Sequence, residues 1–71
     1  MENTTDQVRA ISEIVQHLED RFAGKTSYTV DEVKKSPLVY GRLLALSDVS
    51  IALNMWSISE RVNALMVLTN V

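Results

Sequence analysis

The sequence predicts an all-α fold, a small bundle of three main helices plus one short helix that associates with itself. Three observations point there. Apolar residues recur at helical spacings along most of the chain, while polar capping boxes and a Ser36-Pro37 step punctuate it where helices should start. No second strand-like run is present to pair with the one short stretch, Ser27 to Val30, that could be extended. The 71 residues are read as a single helical domain, 1–71.

The first helix is placed at about 5–23. Val8, Ile11, Val15, Leu18 and Phe22 fall on one narrow stripe, Thr4 and Gln7 fit a capping box, and Gly24 supplies a left-handed end. Lys25 to Tyr28 reads as loop. Thr29 and Glu32 then form a second capping box that opens a short helix, about 30–35, with Val30 and Val33 on one side. Ser36-Pro37 ends it, because a residue before proline leaves the α region, and starts the next helix with proline at its first position.

The third helix is placed at about 37–56, unbroken, since neither glycine nor proline lies near Ser47; a fresh helix capped by Ser47 is the competing parse. It is apolar on two sides. Leu38, Ala45, Leu46, Val49, Ala52, Leu53 and Trp56 make a broad arc, with Trp56 expected to plug the core. Tyr40, Leu44, Ile51 and Met55 make a second stripe, separated from the arc by Ser47, Ser50 and Asn54 on one side and by Gly41 and Asp48 on the other. A third capping box, Ser57 with Glu60, starts the last helix at about 58–68, whose inner stripe is Ile58, Val62 and Leu65.

From Leu43 to Val71 only Asp48, Glu60 and Arg61 carry charge. A chain this short buries only about 60–65% of its unfolded surface, so part of this apolar surplus is expected to be a protein interface, most simply a twofold homodimer. The anchors expected are Tyr40, Leu44, Ile51, Met55, Met66, Leu68 and Val71, with Arg42 at the rim.

Chemistry finds little support. The chain has no cysteine and one histidine, His17, whose neighbour Glu13 could supply a second metal ligand but not the third that a site needs. Ser36, Ser57 and Ser47 are explained as caps, and Gly24 and Gly41 stand alone, too far apart for a phosphate loop. No catalysis, cofactor, metal or small-molecule substrate is therefore expected. A net charge of −2 disfavours nucleic acid and anionic membrane surfaces. The alternative is a helix-turn-helix DNA-binding regulator using Lys25, Lys34, Lys35 and Arg42. The charge-free run Val49–Ser59 is too short to span a bilayer, and the polar, acidic start does not resemble a secretion signal. The chain is thus read as a cytoplasmic, non-enzymatic regulator or adaptor that binds itself and another protein.

Overall fold

The computed structural model describes residues 4–70, with side chains from Asp6 onward. Four helices follow in order: α1 Thr4–Phe22, α2 Val30–Lys35, α3 Pro37–Ala52 and α4 Trp56–Leu68. No strand occurs among the described residues, and the protein is a small all-α bundle. α3 and α4 form a helical hairpin with the most extensive packing in the molecule, and α1 lies against all three other helices.

α1 buries the stripe its spacing defines. Val15, Leu18 and Phe22 are buried, Ile11 packs partly against them, and Val8 stays exposed one turn further out. The cap expected at Thr4 lies outside the described side chains. The helix ends in a Schellman motif: the Lys25 amide donates to the Asp20 carbonyl at 2.9 Å and the Gly24 amide to Arg21 at 3.2 Å. Gly24 sits at φ +76°, and a Cβ there would stand 3.3 Å from Val30 Cγ2. Both the backbone and the neighbouring valine therefore favour glycine.

α2 is opened by the expected capping box. Thr29 Oγ1 accepts from the Glu32 amide at 3.1 Å, and Glu32 Oε1 accepts from the Thr29 amide at 2.9 Å. Its one buried residue is Val33. Ser36 closes α2 and opens α3, its Oγ accepting from the Val39 amide at 3.3 Å, and Pro37 follows at the first helical position. At the other end of the chain, the Asn70 amide donates to the Lys34 carbonyl at 2.8 Å, which fastens the segment after α4 to the end of α2.

Three expectations need correction. The first concerns the length of α3, which stops at Ala52 instead of running to residue 56. The cause is a second Schellman motif, built on asparagine: Asn54 takes φ 58°, its amide donates to Ile51, and the Met55 amide donates to Ser50 at 2.7 Å. Asparagine tolerates the left-handed region better than most residues, so neither glycine nor proline was needed to break the helix. Second, α4 starts at Trp56 with Met55 as an N-cap that makes no side-chain hydrogen bond. Ser57 thus falls inside the helix, and the Ser57–Glu60 box is not used. Third, Trp56 is 60% exposed. The break removes it from α3 and sets it about 200° around α4 from Ile58, away from the buried stripe of Ile58, Val62 and Leu65.

The buried face of α3 is another surprise. Val39, Leu43 and Ser50 are buried and Leu46 is half-buried. This stripe runs through the serine boundary between the two apolar sides that the sequence suggested. Ser50 has no exposed surface, and its hydroxyl donates to the Ser47 carbonyl at 3.0 Å. Satisfying the hydroxyl within its own helix removes the penalty for burying it. On α4 the small side chain of Ser59 is buried too, so two serines stand in the core beside the aliphatic residues.

Two substitutions test the helix ends. Gly24→Ala should lower stability by about 1–2 kcal/mol, the cost of a β-carbon in the left-handed region. Asn54→Gly should raise it by about 0.5 kcal/mol for the converse reason. Urea denaturation of each variant against wild type reads both changes.

Candidate protein interface

Helical geometry divides the surface of α3 into two flanks beside its buried stripe. Tyr40, Leu44, Ser47 and Ile51 follow the i, i+4, i+7, i+11 rhythm of one flank. Ser47 Oγ meets Asn63 Oδ1 of α4 at 3.5 Å, which identifies this as the flank that borders α4. On α4 the same rhythm links Trp56, Glu60, Asn63 and Val67. The two stripes therefore run side by side over the hairpin as one surface.

The surface is mostly apolar. Leu44 is 42% exposed, Ile51 46% and Val67 83%, around the polar Ser47–Asn63 contact. Glu60 is the single charge on the two stripes, because Arg61 points elsewhere, and the exposed Asp48 of α3 stands at the outer edge beside Leu44 and Ile51. Arg61 Nε donates to Glu19 Oε2 at 3.0 Å, and its Nη2 donates to Glu19 Oε1, a bidentate pair linking α4 to α1. The hydrogen bonds from Arg61 hold the Glu19 carboxyl below its ordinary range, and the same pairing raises the guanidinium. Glu32 is likewise lowered, first by the Thr29 amide and then by the Thr29 hydroxyl.

The anchors expected from sequence are spread over different environments. Leu44 and Ile51 are exposed on the hairpin surface, and Leu68 is exposed at the end of α4. Tyr40 is half-buried, whereas Met55 and Met66 are half-buried and packed against the core. Val71 lies outside the described residues. Sequence reasoning missed Val67 and the exposed Trp56. The signal for Val67 was available, since it lies on the side of α4 opposite Val62.

On the opposite flank of α3, Leu38, Arg42, Ala45, Val49 and Ala52 keep helical register, and Leu38 is 79% exposed. Here Leu38 and Arg42 join Arg21 and Tyr28 in a cleft of about 360 Å³ between the end of α1, α2 and the start of α3. A second, more open cleft of about 410 Å³ lies between Val8 and Ser12 of α1 and the Asn54–Ile58 segment.

The residues of the DNA-binding alternative do not share a cleft with Arg42. Lys25 is in the loop after α1, Lys35 pairs with Asp31 at 3.2 Å, and Lys34 lies half-buried in the last turn of α2. One residue, Ser36, joins α2 to α3, where a helix-turn-helix has a turn of about three or four. His17 and Glu13 are exposed on α1 and line neither cleft. Among the described residues no three histidine or carboxylate groups come together as a metal site, and no helix is long and apolar enough to cross a membrane. Comparison with known family models, curated proteins and solved structures finds no significant match.

The Glu19–Arg61 pair is partly shielded, with side-chain exposures of 29% and 36%. Glu19→Gln should therefore cost only about 0.5–1 kcal/mol at neutral pH. Folding lowers the Glu19 carboxyl from its ordinary 4.5, so the contribution is full above that pH and is lost as the pH falls through the folded value. Denaturant titrations at several pH values should show wild type and variant converging in acid.

Proposed function

We propose that this chain is a non-enzymatic protein-interaction module that self-associates through the α3–α4 hairpin surface and acts as a regulator or adaptor of another protein. The observation that carries the reading is the exposure of Leu44, Ile51 and Val67 together on one face after the bundle has closed its core. Exposed apolar side chains scattered singly are ordinary, but a contiguous set marks an association surface. A stable interface takes about 800 Å² from each partner. That is about a sixth of the 4692 Å² surface of this chain, which a face two helices wide can supply.

Symmetry suits the arrangement. A twofold axis over the Ser47–Asn63 contact would set Leu44 and Ile51 against the same residues of a second copy, with Trp56 and Val67 beside them. The polar pair at the centre fixes register, and Glu60 of each copy stays at the margin, where solvent screens it. Two such hairpins would make a four-helix layer, the arrangement by which paired helices bury a second face.

Ile51→Asp should give a folded monomer, because the side chain it replaces is not part of the core. Gln16→Asp, on the exposed side of α1, should change neither fold nor assembly. Sedimentation equilibrium together with far-ultraviolet circular dichroism separates the outcomes. A folded wild-type monomer at high micromolar concentration overturns self-association.

A further inference from the structure

We infer that the cleft between the end of α1, α2 and the start of α3 binds a carboxylate on a partner's acidic peptide segment, held between the guanidinium groups of Arg21 and Arg42. The cleft is about 360 Å³, at the small end of ligand pockets and suited to one or two side chains of a peptide. Arg21 is held in place by stacking over the Tyr28 ring, 5.2 Å from its centroid. That contact limits the guanidinium's motion and orients its donors. Arg42 stands one turn beyond Leu38 on α3 and reaches the same cleft.

Two cations, Arg21 and Arg42, line the cleft. Neither forms an ion pair among the described residues. The one acid in the cleft wall, Glu32, has Oε1 engaged by the Thr29 amide and hydroxyl, both at 2.9 Å. With two guanidiniums and the one ionised carboxylate of Glu32 the cleft lining is net positive, which an anion relieves, and a guanidinium binds a carboxylate bidentately. Leu38, 79% exposed beside Arg42, offers an apolar contact to the residue next to that carboxylate. The chain's overall charge of −2 selects a short anionic group over a polyanion, whose long-range repulsion by the rest of the surface would outweigh two local contacts.

The inference does not depend on the hairpin surface, and the test keeps them apart. The probe is acetyl-leucyl-aspartate amide, titrated into uniformly 15N-labelled full-length protein and followed by NMR, with acetyl-leucyl-asparagine amide as its neutral match. Saturable shifts are expected at the Arg21 and Arg42 Nε–H groups and at the Leu38 amide. Affinity should fall by about fivefold or more for the asparagine probe and for Arg42→Gln, since each removes one partner of a charged hydrogen bond. Arg42→Lys should bind between the two, while Lys25→Gln and Ile51→Asp should bind as wild type does. Equal affinity for the two probes, or binding unchanged in Arg42→Gln, overturns the assignment, as does the absence of saturable shifts. Inorganic phosphate binding as tightly as the aspartate probe also overturns it, by making the cleft a general anion site.

Discussion

A helix with two apolar sides needs cover on both, and the bundle buries α3 along a single stripe. Among the described residues α1 and α4 are the only other long elements, and they pack against α3 where Val39, Leu43 and Ser50 are buried. The total surface of 4692 Å² is close to the ~4,450 Å² expected of a compact chain of this mass. The exposed leucines, isoleucines and valines therefore do not reflect loose folding. They follow from the ratio of apolar residues to available cover, and every surface feature of functional interest lies beside this one helix.

Two chain reversals decide which residues that helix shows. Gly24 ends α1 and Asn54 ends α3, each in the left-handed region and each with the same pair of backbone hydrogen bonds. The Asn54 turn has the larger consequence. By stopping α3 at Ala52 it brings α4 back alongside and re-registers Trp56 onto the outer side of the new helix. Ser50 and Ser59 occupy the buried interior, and the Glu19–Arg61 pair ties the hairpin to α1.

The two flanks of α3 differ in character. The one beside α4 is apolar with a polar contact at its centre, which suits a symmetric protein contact. The other leads into a small basic cleft in a chain that is acidic overall, a setting suited to a single carboxylate. As proposed, both are binding surfaces, and although their residues interleave in the sequence they lie on different sides of α3 and can be altered separately. Self-association as proposed, through one side of α3, would leave the cleft on the other side open.

Where the sequence carried a strong local signal, it was sufficient. The stripe of α1, the Thr29–Glu32 box, the Ser36-Pro37 step and the inner stripe of α4 are all short-range patterns, because capping and helical periodicity act within a turn or two. Leu44 and Ile51 were legible as a surface candidate for the same reason. The rotation of α3 was not, since a helix with two apolar sides has no single preferred inward face. Only the fit against α1 and α4, with Ser50 and Ser59 small enough to be buried, chose the stripe through the serines. Nor could the sequence bring Arg21 to Arg42: they are separated by a loop, a helix and a corner, and their shared cleft exists only because α1 and α3 pack. Short-range chemistry set the helices; shape complementarity between them decided which residues face outward.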